Sequence, residues 1–394
     1  MKIAILTSGI LPIPALQGGA VENLIDFYLD YNNIHQLHDI TVYSIYNDAI
    51  KKHPALYSTV NHYHYIEVNS LMARIQKRIY HLVRWYGKEY YHHSIEYYLL
   101  KALRHVRKNH YDMLIIENRP AFALKLPHNI KAKVVYHLHN DFLNNDIPQA
   151  LSIYNIAYRI ITVSDYIKSR VKTINPLDQK GLTVHNGINL EAFSSTNKTL
   201  QRETIGLRRE DFVLVFSGRL IPEKGIFPLI ETMELLKQHI NIKLLVLGGS
   251  SLGNSVEQSS FLKQIQKFAE HLDSIIFTGY VNYTRMGDYL QIADVAVLPS
   301  LWDEPFGLTC VEAMAAGLPI ITTNRGGIPE VVNNNCAILL DTANNLSHQL
   351  ADNILQLYQH PEKCKAMGKA ALLRSKNFSK ECFAESFFKA LSYK

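Results

Sequence analysis

Cysteine is scarce: the 394 residues hold four, Cys310, Cys336, Cys364 and Cys382. No two stand at Cys-x-x-Cys spacing, which excludes a zinc knuckle or redox motif of that kind and leaves reduced core thiols as the expectation. No apolar run approaches the roughly 20 residues that span a bilayer, and residues 1–5 read as a strand, not a signal peptide, so a cytoplasmic location is expected. Low-complexity tracts and repeats with periods of roughly 20–50 residues are also missing. Apolar residues are not: hydrophobic types make up 47% and charged types 19%, the composition of a globular protein. The length exceeds the roughly 100–200 residues of one ordinary domain, so two or three cores are expected.

Net charge is +6. Much of the excess falls at 74–108, where Arg74, Lys77, Arg78, Arg84, Lys88, Lys101, Arg104, Arg107 and Lys108 face only Glu89 and Glu96. Trp85, Tyr86, Tyr90, Tyr91, Tyr97 and Tyr98 are interleaved with them. Two readings stand for this stretch. One is a solvated helix pair; the other is a helical surface on anionic lipid at the inner face of the membrane, with its rings at headgroup level.

The chain opens with KIAILTSG, an apolar run ending in small residues, then a Pro-rich turn, the pair Gly18 and Gly19, and a helical pattern at 21–29. Apolar runs at 40–45, 113–116, 134–138 and 160–163 alternate with helix-length segments, the pattern of a parallel sheet. Around 191–209 the sequence turns polar, which marks a linker, and the pattern restarts with FVLVFSG at 212–218. Further strands are expected at 243–247, 274–277, 295–298 and 319–322. The fold expected is α/β: two Rossmann-like doubly wound domains, 1–195 and 196–379, facing across a cleft. Sheets of this kind bind ligands outside the carboxyl ends of their strands.

In SGRLIPEKG, Arg219 and Lys224 lie in the loop after the strand at 212–216, where two cations suit a diphosphate; two such residues alone are ordinarily surface charge. In LPSLWDEPFGLTCVEAMAAGLP, Leu298 ends a strand, Glu304 and Pro305 form a turn, and Gly307 opens a helix reaching Ala316. The free amides of Gly307, Leu308 and Thr309 and the positive end of the helix dipole favour a phosphate there. Glu304 and Glu312 stand about two turns apart along one side. Carboxylates accept sugar hydroxyls in a bidentate way, so the two can grip sugars on either side of a diphosphate. The plain alternative is a capping Glu304 and a solvated Glu312.

These motifs resemble those of the retaining glycosyltransferases of family four, which have the two-domain GT-B fold and use nucleotide-sugar donors. The resemblance rests on Gly18-Gly19, on Arg219 with Glu223-Lys224-Gly225, on Glu304-Pro305-Phe306-Gly307, and on Glu312-Ala313-Met314-Ala315 with Gly317-Leu318-Pro319. It covers nearly the whole chain and looks closest to bacterial members of the spore-coat-associated and surface-polysaccharide kind. It implies that Arg219 and Lys224 bind the donor diphosphate, Glu304 the donor sugar and Glu312 the ribose, with the amides from Phe306 to Thr309 completing the site. It also implies that Gly279, Tyr280 and Val281 touch the base through backbone groups, and that Gly18-Gly19 closes on the diphosphate from the other domain. An ordinary tight turn is the alternative for that glycine pair. His139, after the strand at 134–138, is placed by the resemblance near the reacting carbon, orienting the sugar and stabilising positive charge. His137, two residues earlier, is expected on the opposite face as packing. Ser164 reads as a helix N-cap and Asn186 as a hinge residue. The last helix, at 380–394, is implied to cross back onto the N-terminal domain.

No Asp-x-Asp occurs, so the usual carboxylate clamp for a diphosphate-bound metal is missing; no metal and no cofactor are expected. The activity expected is transfer of a hexosyl-type sugar, from a UDP-sugar in the favoured reading, to a hydroxyl of a glycan, lipid-linked or protein-linked acceptor. Domains closing about the hinge would exclude water. No nucleic-acid partner is expected. A sugar-nucleotide epimerase, a non-catalytic subunit or coat component, and a glycogen or starch synthase are the competing readings.

Overall fold

The computed structural model describes residues 1–16, 19–83, 93–127, 130–194, 200–249, 260–342 and 345–392. The chain separates into two compact units, one formed by 1–185 with 380–394 and the other by 186–379. The boundary thus falls at Asn186, ahead of the expected one after residue 195. Phe193 is the reason. It is fully buried, lies edge-on to Tyr283 with ring centroids 5.8 Å apart, and its carbonyl accepts from Gln291. Arg202 donates to the carbonyls of Ile292 and Asp211 and pairs with Asp294 at 2.8 Å. The described part of the polar stretch is therefore fastened to the second unit and is not a free linker.

In the first unit the elements run β1 (Lys2–Leu6), α1 (Ala20–His35), β2 (Asp39–Ile45), β3 (Asn61–Ile66), α2 (Leu71–Val83), α3 (His93–Val106), β4 (Met113–Glu117), β5 (Lys133–Leu138), α4 (Ala150–Ile156), β6 (Arg159–Thr162), α5 (Asp165–Lys172) and β7 (Gly181–Thr183). The strands form one parallel sheet in the order β3-β2-β1-β4-β5-β6-β7. The apolar pattern passed over β3, an edge strand reading NHYHYI, because only one of its flanks is paired and it carries polar residues, Asn61 buried and His62 exposed. The chain's last helix, numbered α13 below, packs on α1: Phe383, Phe387 and Leu391 join Leu24, Tyr28, Ile5, Ile115 and Val135 in one core.

The second unit continues with β8 (Phe212–Ser217), α6 (Ile226–Leu235), β9 (Ile242–Leu247), α7 (Ser260–Ala269), β10 (Ile275–Gly279), α8 (Tyr283–Leu290), β11 (Val295–Leu298), α9 (Leu308–Ala315), β12 (Ile320–Thr323), α10 (Ile328–Val331), β13 (Ala337–Leu340), α11 (Leu346–Gln359) and α12 (Pro361–Ser375); α13 is Lys380–Ser392. Its parallel sheet has the order β10-β9-β8-β11-β12-β13. Each sheet reverses its winding once, between β1 and β4 in one unit and between β8 and β11 in the other. The carboxyl ends of those strand pairs are where doubly wound sheets leave a crevice.

Two composition-based expectations need correction. Tyr97 and Tyr98 do not line a surface: both are buried in α3 with Ile95, Leu99, Ala102, Leu103 and Val106, and the Tyr98 hydroxyl donates to the Tyr43 carbonyl at 2.6 Å. Arg84, Trp85, Tyr86, Lys88, Glu89, Tyr90 and Tyr91 lie outside the described residues. Of the four free cysteines only Cys310 and Cys336 are buried; Cys364 is half-buried and Cys382 is exposed.

Candidate active site

In the second unit, β8 and β9 end in glycines that bring two backbones together. A Cβ on Gly248, at φ +148°, would lie 1.9 Å from the Gly218 carbonyl oxygen, and the Gly218 amide donates to Leu247 at 3.0 Å. The chain then turns out through Arg219, which is exposed and has no side-chain partner among the described residues. The short turn Pro222–Lys224 is sewn to the end of β11: the Leu301 amide donates to the Glu223 carbonyl at 2.8 Å, and Ser300 Oγ lies 3.3 Å from the same oxygen. This register brings Lys224 onto Glu304, eighty positions away in sequence, with Nζ 2.5 Å from Oε1. Ser300 Oγ donates to the same oxygen at 2.9 Å, and the Trp302 ring lies 5.9 Å from Nζ.

Glu304 is held from behind. Its carbonyl accepts the Gly327 amide at 2.7 Å, and a Cβ on Gly326 would sit 2.2 Å from that same oxygen. Phe306 is buried against Phe378, and Gly307, at φ +106°, turns the chain into α9 without any side-chain cap. The first amides of α9, at Leu308 and Thr309, therefore have neither an intrahelical acceptor nor a capping oxygen. The helix is one residue shorter at its end than expected, with Ala316 as its C-cap. Glu304 precedes the helix and points at Lys224, while Glu312 sits in the second turn and is only 7% exposed, not solvated. Burial raises the Glu312 pKa to about 8, against a hydrogen bond from Tyr283 that lowers it. Gly279, at φ +74°, closes β10; Tyr280 after it is exposed and Val281 is buried. The structure thus gathers Lys224, Glu304 and the start of α9 at the switch point, with Gly279–Val281 two strands outward at the same end of the sheet.

The corresponding crevice of the first unit holds a cluster that the motifs did not reveal. Glu117 ends β4, and in register its partner on β5 is His137. Residues two apart on a strand share a face, so His139 follows on the same side, contrary to the expectation for His137. His137 Nδ1 lies 3.0 Å and His139 Nε2 2.9 Å from Glu117 Oε2, and the Tyr28 hydroxyl donates to Oε1 at 3.0 Å. Burial would raise the Glu117 pKa, but the two imidazoles hold it down to about 2; burial, then His137, push His139 down to about 4. A carboxylate closing an apolar run, in MLIIE, was the available signal. Gly18 lies outside the described residues. Gly19 precedes α1 at φ +111°, where a Cβ would be 2.2 Å from Glu22 Oε2. Glu22, also unremarked in the sequence, is buried, which raises its pKa, and it hydrogen-bonds Ser8 after β1. Ser164 caps α5, its Oγ accepting the Ile167 amide at 3.1 Å, and Asn186 is buried at the start of the second unit.

Glu117, His137 and His139 have the make-up of a metal-ligand set, with ligand atoms within 4.8 Å of one another. The outer nitrogens, His137 Nε2 and His139 Nδ1, are buried and have no hydrogen-bond partner among the described residues. A metal on the inner nitrogens would make both outer ones N–H donors with nothing to accept them, whereas ligand histidines nearly always donate that hydrogen. Read as a carboxylate accepting from both rings, His139 Nδ1 is a lone pair, and the cluster fits hydrogen bonding better than metal binding.

Comparison with known proteins agrees with this geometry. Residues 197–374 match the family described as glycosyl transferases group 1. The chain is 29% identical over 387 residues to the putative glycosyltransferase YtcC of Bacillus subtilis, covering 94% of this chain and 86% of that one. It is equally 29% identical, over 386 residues, to spore coat protein SA of Bacillus subtilis, covering 94% and 93%. Among solved structures, HepE from Anabaena in complex with UDP and glucose superposes with a TM-score of 0.74 at 19% identity, over the full length of both chains. The match to the group 1 glycosyl transferases lies in the second unit, and the chain has the two-domain, Rossmann-like GT-B fold.

Proposed function

We propose that this chain moves a hexosyl-type sugar from a nucleoside diphosphate sugar to a hydroxyl of a glycan, lipid-linked or protein-linked acceptor in surface polysaccharide or glycoconjugate synthesis. Configuration is retained and no metal ion takes part. The observation that carries the reading is the Lys224–Glu304 pair at the switch point beside the uncapped start of α9. A diphosphate arriving there takes Lys224 from Glu304, and the freed carboxylate accepts hydroxyls of the donor sugar. Arg219, Lys224 and the amides from Phe306 to Thr309 then stabilise the charge that grows on the departing diphosphate. Glu312 holds the ribose, and the backbone at Gly279, Tyr280 and Val281 the base. His139 is assigned to the sugar and Gly18-Gly19 to the diphosphate. Uridine is the favoured base, because HepE is solved with UDP and glucose. With no second carboxylate committed as a nucleophile, the leaving phosphate oxygen accepts the acceptor's proton on the same face.

Calorimetry with UDP, GDP and ADP, on the wild type and on Lys224→Glu, tests the donor site; unchanged affinity in the variant would sink it. Turnover that survives EDTA and an anomer matching the donor's, read by NMR of the product, are expected, and an inverted product refutes retention. A non-transferring coat role, which the spore-coat relative favours, predicts binding without turnover, and an epimerase turns over without an acceptor.

A membrane contact is also proposed, now confined to α2. Leu71, Met72, Ile75 and Ile79 are all exposed, at 73%, 65%, 43% and 54%, with Arg74, Lys77 and Arg78 between them. Spacing of four residues sets Leu71, Ile75 and Ile79 on one stripe, and the flanking cations match anionic headgroups. No helix among the described residues is long and apolar enough to cross a membrane. Flotation with phosphatidylglycerol vesicles is expected to retain the wild type and release Ile75→Asp; equal retention refutes the contact.

A further inference from the structure

We infer that Glu117 is a positioning residue for His139: it fixes the ring in the Nε2–H form, so that a bare Nδ1 lone pair is what His139 offers to a hydroxyl of the donor sugar. The inference rests on the donor-side reading of His139 given above.

The tautomer follows from the acceptor. An ionised carboxylate carries no proton, so each ring nitrogen within bonding distance of Glu117 must bring its own N–H. That places a proton on His137 Nδ1 and one on His139 Nε2. The shift of Glu117 to about 2 keeps it ionised, and the shift of His139 to about 4 keeps the ring singly protonated near neutrality. His139 Nδ1 is then a buried acceptor with no partner among the described residues. Such an atom welcomes an O–H and rejects the bare oxygen of a carboxylate or phosphate.

The support is built from both ends of the chain. The Tyr28 hydroxyl from α1 donates to the second carboxylate oxygen at 3.0 Å. Phe387 of α13 stacks on the Tyr28 ring at 4.4 Å and 8°, and its centroid lies 5.0 Å from that of His137. Two of the three donors to Glu117 are thereby clamped by one aromatic side chain. The main-chain amide of His139 is held as well, donating to Asn118 Oδ1 at 3.1 Å.

Nitrogen-15 NMR of histidine-labelled wild type near neutral pH reads the tautomer without any ligand. A pyrrole-type Nε2 and a pyridine-type Nδ1 at His139 are expected; the reverse, or a doubly protonated ring, overturns the assignment. Glu117→Leu removes the oxygen that accepts from both rings, so nothing fixes the His139 proton on Nε2. Its expected effect is an altered His139 tautomer and a fall in kcat of about a hundredfold, with donor KM nearly unchanged, since a wrong tautomer at a working histidine costs orders of magnitude. Tyr28→Phe keeps the ring stack and removes one donor; it is expected to fold, keep the tautomer and lose less kcat, which covers the case of a misfolded Glu117→Leu. Turnover is read with UDP-glucose, UDP-galactose and UDP-N-acetylglucosamine. Folded Glu117→Leu with wild-type kcat overturns the positioning role. Full turnover in His139→Gln overturns the donor-side reading of His139, a different failure that leaves the NMR result standing.

Discussion

Glu312→Gln separates what the second unit's fold requires from what its ligand requires. The carboxyl is 7% exposed, and burial lifts its pKa from 4.5 to about 8. A raised acid pKa means that the folded chain keeps a proton which the unfolded chain has released. The contribution to stability is therefore full below about pH 4.5, declines as pH rises, and levels off above about pH 8. At 1.36 kcal/mol per pKa unit, the interval from 4.5 to neutrality costs about 3 kcal/mol relative to a side chain that cannot ionise. The amide has the shape of the protonated carboxyl and escapes that cost. We expect the variant to resist urea better than the wild type at about pH 7, by up to about 3 kcal/mol, with the advantage vanishing toward about pH 4.5. Nucleotide binding at about pH 9, where the folded carboxyl has lost its proton, should move the other way and weaken about tenfold, because an amide offers one acceptor oxygen where an ionised carboxylate offers two. Urea unfolding of both proteins at about pH 5, 6, 7 and 8, followed by circular dichroism, is the assay. A stability difference that stays constant across this range would refute the reasoning, since it would mean that folding does not shift the titration of Glu312.

Lys224→Ala removes the ammonium from a carboxylate whose side chain is only 12% exposed, leaving Ser300 as its donor; a loss of about 1–2 kcal/mol in stability and at least tenfold in UDP affinity is expected by denaturation and calorimetry. Ser164→Ala deletes the α5 cap and should cost about 1 kcal/mol in urea unfolding, with nucleotide affinity unchanged. Iodoacetamide followed by mass spectrometry should label Cys382 first and leave Cys310 unmodified, because the latter is buried and burial pushes its thiol up to about 12.

The arrangement around Glu304 was legible in part because it is local. Glu304, Gly307 and Glu312 occupy one loop and one helix, so their spacing alone sets their order. Burial of Glu312 was not legible, since the sequence does not say that Tyr283 and Phe193 close over that side of α9. Nor was the Lys224–Glu304 pair, which depends on the end of β8 lying beside the end of β11. The first unit was read less well for the same reason. Glu117, His139 and Tyr28 come from β4, the end of β5 and α1, and only strand register and helix packing bring them together. In α3 the basic and aromatic composition drew Tyr97 and Tyr98 toward a surface, whereas both are core residues.

Three glycines of the second unit share a positive φ and have unequal surroundings, which allows clash to be measured apart from strain. Gly279, Gly225 and Gly326 lie at φ +74°, +70° and +56°. A methyl on Gly279 would meet nothing within 4 Å; on Gly225 it would lie 1.8 Å from the Pro299 carbonyl oxygen, and on Gly326 2.2 Å from that of Glu304. Each alanine carries the left-handed penalty of about 1–2 kcal/mol. For Gly279→Ala that should be the whole loss. In the other two the methyl strikes main chain, which cannot rotate aside as a side chain does. Relief requires moving either the turn that bears Lys224 or the loop that bears Glu304, so losses above about 4 kcal/mol are expected, together with weakened UDP binding in whatever protein still folds. If all three variants unfolded at the same urea concentration, the close approach of these backbones would not be what holds Lys224 and Glu304 in place.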